Sequence, residues 1–136
     1  MKNKTDKLTE IYYNTNRDQK EFILQFVFHI CMADNMSVDD DQKIQDFANR
    51  FNIINVQATL MKYKGWDVMA DNLKSLPSEV KEFLVIDTQP LLFVGGKINT
   101  KRVAQAMRIF NRIGISDSKH KEIYEKGKAL SEFFNY

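Results

Sequence analysis

Apolar positions along most of the chain recur at the spacing of a helix rather than in strict alternation. Residues 18–33 are apolar on nearly every side, which predicts a helix through the centre of the fold. In two later segments the apolar residues fall on a single helical face. These residues are Ile44, Phe47, Ala48 and Phe51 in the first segment, and Val103, Ala106, Met107, Phe110 and Ile113 in the second. The pattern predicts an all-α protein.

Polar residues at the ends of these segments predict where the helices begin. Side-chain oxygens that can accept a hydrogen bond from the first turn of a helix come immediately before four of the apolar segments. The predicted N-caps are Asn16, Ser37, Asn99 and Ser116, and Asp40 would complete a capping box with Ser37. A fifth start is ambiguous, because Ser75 and Ser78 both compete as its cap, with Pro77 in the first turn.

Other residues predict where the helices end. Asn52 and Gly114 suit the left-handed conformation that follows many helices. Lys64-Gly65 divides residues 55–74 into two short helices, and Pro90 predicts a break near Gln89 because proline lacks the donor of a helix hydrogen bond. Gly95-Gly96 marks a loop. These signals together indicate six to seven helices.

Two parts of the chain match at a constant separation of 62 residues. The match covers a start signal, core positions and a stop signal together. Ser37 and Met36 correspond to Asn99 and Ile98; Ile44, Phe47 and Phe51 correspond to Ala106, Ile109 and Ile113; Asn52 corresponds to Gly114. We therefore expect a bundle of two pseudo-symmetric helix–loop–helix halves, each burying the apolar face of the other. The expected organisation is one domain over residues 1–136, with a core at about 18–135 and an N-terminal arm or short helix at 1–15.

Composition excludes several classes of protein. With 136 residues, a formal net charge of +2 and a single cysteine, the chain does not have the features of a strongly basic nucleic-acid-binding protein or of a disulfide or multi-cysteine zinc protein. Its most apolar stretch, residues 22–33, is shorter than a membrane helix. We expect a cytoplasmic protein without membrane insertion.

The segment 28–41, FHICMADNMSVDDD, resembles the TerB-like (tellurite resistance) family, whose signature is an apolar helix ending in Ala-Asp-Gly followed by a capped, acidic helix start. Residues 91–116 resemble a second copy of the same unit, so the resemblance covers about residues 18–118. It implies a compact helical fold, a role in tellurite or chemical-stress response, and divalent-metal binding by an acidic surface. Asn35 replaces the usual glycine, and Lys101 and Arg102 replace acidic residues of the second copy.

Four aspartates form the densest acidic cluster and are the candidate metal ligands: Asp34, Asp39, Asp40 and Asp41. Carboxylate oxygens suit a hard cation such as calcium or magnesium. Their spacing is not that of an EF-hand loop. The alternative is purely structural, because aspartates in the first turn of a helix are favoured by the helix dipole. Both interpretations remain open.

A basic segment lies at residues 97–128, where nine lysines and arginines outnumber three acidic residues. The candidate basic face consists of Lys101, Arg102, Arg108 and Arg112. Such a face could bind nucleic acid or an acidic partner, or it could simply be solvated.

No set of residues points to catalysis. His29 and Cys31 project differently from one helix and are expected in the core or at its boundary, whereas His120 lies among charged residues and is expected to be solvated. No catalytic residues and no organic cofactor are assigned. The expected function is a non-enzymatic TerB-like binding or scaffold module with another protein as its partner. The alternative is a helical module that binds nucleic acid or an acidic partner through residues 97–128.

Overall fold

The helices begin and end close to the residues that the sequence predicts. In the computed structural model of the protein, the described residues are Tyr12 and 15–134, with backbone alone for 127–134. Most of the predicted arm over residues 1–15 lies outside them. The described α-helices are α1 (Arg17–Met32), α2 (Val38–Arg50), α3 (Val56–Met61), α4 (Trp66–Lys74), α5 (Ser78–Asp87), α6 (Thr100–Arg112) and α7 (Asp117–Phe134). After α5 comes a 3-10 helix (Gln89–Leu92). Two short strands follow the 3-10 helix: β1 (Phe93–Val94) and β2 (Lys97–Ile98). The predicted all-α class is confirmed.

The four predicted N-caps are confirmed by their hydrogen bonds. Asn16 Oδ1 accepts from the third residue of α1 at 2.8 Å, and Ser37 Oγ accepts from the corresponding N–H of α2 at 3.4 Å. Asn99 Oδ1 and Ser116 Oγ make the same contact at the starts of α6 and α7, at 3.0 and 3.2 Å. Each contact satisfies a backbone donor that has no partner within its own helix.

The start of α5 differs from the prediction. Pro77 precedes the helix in an extended conformation, with ψ 148°, and is not part of the first turn. Ser78 is the first helical residue and makes no side-chain cap, while Ser75 closes α4 by donating from Oγ to the Asn72 carbonyl at 2.7 Å. The Pro77 carbonyl accepts from Val80 and Lys81, so the backbone alone begins the helix.

The core is built around α1, as its apolar composition predicts. This helix packs against α2, α3, α4, α6 and the 3-10 helix. Ile23, Leu24, Phe26, Val27 and Ile30 are fully buried along it. The ring of Phe26 meets Phe110 of α6 edge to face, with centroids 5.3 Å apart, so the first half of the chain is packed against the second at the centre. Helix α5 and the last helix, α7, also pack against each other.

The predicted repeat is visible in the backbone of α2 and α6. Both helices have 13 residues, and each is followed by a residue with positive φ, Asn52 at +57° and Gly114 at +99°. The next residues, Ile53 and Ile115, are buried and donate to the carbonyls of Ala48 and Phe110, both at 2.8 Å. From the N-cap to the residue after the stop, equivalent positions of α2 and α6 therefore have equivalent local structure.

The loop predicted at Gly95-Gly96 is the turn of a small β-hairpin. Phe93 pairs with Ile98 and Val94 with Lys97 in antiparallel register. Both glycines have positive φ, +60° and +79°, which a type I′ hairpin turn requires. The sequence did not predict these strands, because two residues per strand are too few for an alternating pattern to appear.

Candidate functional site

The two segments that lead into α2 and α6 lie side by side. We call residues 32–38 the first elbow and residues 93–99 the second elbow. Asn99 Nδ2 donates to Asp34 Oδ2 at 2.7 Å, which joins the two elbows directly. Asn99 N donates to the Leu92 carbonyl at 2.7 Å, which fixes the second elbow against the 3-10 helix. The matching ends of the two repeats therefore form one continuous region of the molecule.

Beneath the elbows, a buried ion pair connects α2 to α6. The Arg102 side chain has no exposure to solvent, and Asp40 is 2% exposed. The guanidinium donates to both carboxylate oxygens, from Nη1 to Oδ1 at 2.9 Å and from Nη2 to Oδ2 at 2.7 Å. It also donates to the carbonyls of Leu91 at 3.0 Å and Asn35 at 3.4 Å. A buried charge needs partners of this kind because water is excluded.

The carboxylates of Asp40 and Asp34 are held in the ionised form by these contacts. The hydrogen bonds from Arg102 lower the pKa of Asp40 to about 2, and those from Ser37 act in the same direction. The amide of Asn99 lowers the pKa of Asp34. The partner carboxylate raises the pKa of Arg102 above its already high value. In both places the largest effect on an acidic residue of the first half comes from a side chain of the second half.

The four predicted metal ligands thus lie in three different environments. Asp40 is buried on Arg102, Asp34 contacts Asn99, and Asp39 and Asp41 are exposed. Among the described residues, no three side chains of histidine, cysteine, aspartate or glutamate are grouped in a way that could hold a metal ion. The calcium or magnesium site stays a prediction.

Exposed apolar side chains are concentrated on the two elbows. Of the nine large hydrophobic side chains exposed in the described part of the chain, six lie in these two short segments. We call this surface the elbow face; it consists of Met32, Met36, Val38, Phe93, Val94 and Ile98. Val38 is 84% exposed and Ile98 is 60% exposed. The apolar pattern of the sequence does not predict this face, although Met36 and Ile98 are equivalent residues of the repeat, each directly before an N-cap.

The predicted basic face is only partly a positive surface. Arg102 does not lie on it, because its side chain is buried in the ion pair with Asp40. Arg108 stacks on the ring of Trp66, with its guanidinium carbon 4.0 Å from the centroid. Arg112 forms ion pairs with Asp67 at 3.3 Å and Asp71 at 3.1 Å. Lys101 is exposed.

These contacts with α4 reduce the positive charge that Arg112 presents to solvent. Binding of nucleic acid or an acidic partner through residues 97–128 stays a prediction.

A second polar cluster lies where Tyr12 meets α2 and α5. The carboxylate of Asp87 accepts from the Tyr12 hydroxyl at 2.7 Å and from the Arg50 guanidinium at 3.1 and 3.3 Å. Burial, with the neighbouring Asp87 carboxylate, raises the pKa of Tyr12. The shallow cavity beside Arg50 has a volume of about 230 Å³. Since each polar group has a partner from another element, the cluster connects the N-terminal segment to the bundle.

The histidines and the cysteine do not form a reactive group. Cys31 is buried, and burial raises its pKa to about 11, which keeps the thiol protonated. His29 is half-buried against Tyr63, with ring centroids 4.2 Å apart. The expectation that His120 is solvated is wrong: it is half-buried, with its ring 5.4 Å from that of Phe110, and burial lowers its pKa. The start of α7 folds over α6 here, which the surrounding charged residues do not indicate.

Comparisons with family models, curated proteins and solved structures give no match to this chain. Among the described helices, none combines the length and the apolar composition needed to cross a bilayer.

Proposed function

We propose that this chain is a non-enzymatic helical module that binds another protein through the elbow face. The observation that supports the proposal is the concentration of exposed apolar side chains on two elbows that hydrogen bonds hold together. A contiguous apolar patch with a polar rim is typical of a protein interaction site.

The framework under the face suits a binding role. Asp40 and Arg102 tie α2 to α6, and Asn99 ties the second elbow to Asp34, so both elbows have a defined position before any partner arrives. A preorganised surface loses less conformational freedom on binding than a mobile one.

The family resemblance of residues 28–41 and 91–116 supplies the physiological part of the proposal, a role in tellurite or chemical-stress response. A weak divalent cation at the acidic elbow belongs to the same part. Thermal unfolding with added calcium or magnesium tests it: the ions should raise the melting temperature of the parent but not of Asp34→Asn or Asp39→Asn variants. Equal responses from all three proteins would remove the cation from the proposal.

Site-specific photocrosslinking tests the binding surface. A photoreactive amino acid replaces Ile98, which is 60% exposed on the elbow face, and in a matched control it replaces Ile54, which is 95% exposed elsewhere. In living cells, the probe at position 98 should give a discrete adduct with a protein chain, and a Met36→Asp substitution should abolish it. The probe at position 54 should give none. Equal labelling at the two positions, or an adduct insensitive to Met36→Asp, would reject the elbow face as the binding site.

A further inference from the structure

We infer that the partner on the elbow face is a second copy of this chain, packed so that the first elbow of each copy contacts the second elbow of the other. This inference rests on the proposed function, since it names the occupant of the same surface.

The two elbows carry apolar residues at equivalent positions, and the helix starts that follow them carry opposite charges. At the repeat separation of 62 residues, Met36 corresponds to Ile98 and Met32 to Val94, and all four are exposed apolar side chains. At the same separation Asp39 corresponds to Lys101, and both are exposed. Four of the six apolar residues of the face are therefore equivalent in the two halves, whereas the exposed charge beside them is acidic on one half and basic on the other.

The buried ion pair joins the starts of α2 and α6 at equivalent positions of the repeat. Asp40 and Arg102 are equivalent residues, 62 positions apart, and they contact each other directly. The elbow residues, which immediately precede this pair in both halves, are therefore held next to each other.

Two copies that meet at this face have two principal arrangements. In one, like elbows face each other, and Asp39 and Asp41 of one copy approach the same acidic residues of the other. In the other, unlike elbows face each other, and these aspartates approach Lys97 and Lys101. Repulsion disfavours the first arrangement and attraction favours the second, so the charges select a single twofold-symmetric pair.

The rim charges are available for this contact. Within the described part of the chain, Asp39, Asp41, Lys97 and Lys101 form no ion pair with one another or with other residues. The interface would resemble ordinary protein interfaces, with an apolar centre that provides affinity and a charged rim that selects orientation. The opposite charges of the two halves thus make the surface complementary to itself.

Charge reversal gives an experiment with a distinctive expected pattern. The first variant combines Lys97→Glu with Lys101→Glu, and the second combines Asp39→Lys with Asp41→Lys. Sedimentation equilibrium of the full-length chain, from micromolar to millimolar concentration, measures self-association. The parent should dimerise, and each variant alone should dimerise about tenfold more weakly or worse, because unlike elbows now have the same charge.

Two recombinations separate charge complementarity from damage to the fold. An equimolar mixture of the two variants should form a mixed dimer with an affinity near that of the parent, because every facing pair again has opposite charge. A chain with all four substitutions should regain self-association. A matched control, Lys64→Glu with Lys74→Glu, changes the charge equally at exposed positions away from the face and should dimerise like the parent. Circular dichroism confirms that each protein is folded.

Three results would overturn the inference: a parent that stays monomeric over the whole range, single variants that associate as well as the parent, or a mixture that associates no better than its components. The photocrosslinking experiment distinguishes its failure from failure of the proposed function. An adduct at position 98 that contains a different protein would reject the second copy and leave the binding surface standing. Absence of a site-specific adduct would reject both.

Discussion

The Arg102→Met substitution tests the ion pair that joins the two halves. It removes a guanidinium that makes four hydrogen bonds, two to the Asp40 carboxylate and one each to the carbonyls of Leu91 and Asn35. Asp40 would keep only the N–H and hydroxyl of Ser37 as partners. Removing one member of a buried pair leaves an uncompensated charge and costs about 3–5 kcal/mol. That is a large part of the ~5–15 kcal/mol that stabilises an ordinary domain.

The assay is urea-induced unfolding followed by circular dichroism, with the free energy of unfolding obtained by linear extrapolation. A double-mutant cycle with Asp40→Leu isolates the pair. Because Leu and Met together replace both charges by apolar groups, the double variant should be more stable than the sum of the two single losses predicts. Additive losses in the cycle would refute the reasoning. A loss of less than about 1 kcal/mol for Arg102→Met would refute it too, since a typical exposed ion pair contributes no more than that.

Acid should remove the stabilisation that the Asp40–Arg102 ion pair provides. The pKa of Asp40 is about 2 in the folded protein and 3.8 in the absence of its partners, so its stabilising effect is present above the higher value and is lost as pH falls towards the lower one. The difference in unfolding free energy between the parent and Arg102→Met should therefore narrow from about pH 4 to about pH 2.

Three further predictions concern other parts of the fold. Gly114→Ala should lower the free energy of unfolding by about 1–2 kcal/mol, because Gly114 has a φ of +99°; no neighbouring atom restricts the added methyl group, so the loss comes from the backbone. Asn52→Gly at the equivalent position should change stability little, and urea unfolding measures both variants. Cys31, with a pKa raised to about 11 by burial, should react with a thiol reagent at neutral pH only when denaturant is added, and rapid reaction of the native protein would show that it is accessible. Burial lowers the pKa of His120, so the neutral ring is favoured in the folded state. The stability of the parent should therefore fall as pH drops below 6.5, the ordinary pKa of histidine. Thermal melts of a His120→Gln variant should show a smaller loss of stability over this pH range, and an equal loss would contradict the burial of His120.

The local structure could be predicted from the sequence because its signals are short and chemical. A side-chain oxygen before a helix, as at Ser37 or Asn99, satisfies a backbone donor wherever the helix packs, and a left-handed stop at Asn52 or Gly114 depends mainly on the residue itself. The separation of 62 residues between equivalent signals likewise needed no tertiary information.

The candidate site was harder to predict because it depends on which residues meet. The sequence places Arg102 on a charged surface, since an arginine beside Lys101 on a polar helix face is usually solvated. Its burial follows from Asp40 lying opposite, on another helix. The repeat contained a usable signal, because Asp40 and Arg102 are equivalent positions with opposite charge. The elbow face is not predicted from the sequence because its apolar residues lie at helix ends, in a connection and in two-residue strands, which are too short for a periodic pattern.

Methyl NMR of the purified chain tests the central claim, that the elbow face is a binding surface for a second copy. Isotope-labelled methyl groups report on Met32, Met36 and Ile98 within the face, and on Ile54 and Met61, which are equally exposed or more so, outside it. Raising the protein concentration should shift the three resonances of the elbow face and leave the other two unchanged. Constant resonances at Met32, Met36 and Ile98, or shifts confined to Ile54 and Met61, would contradict the account.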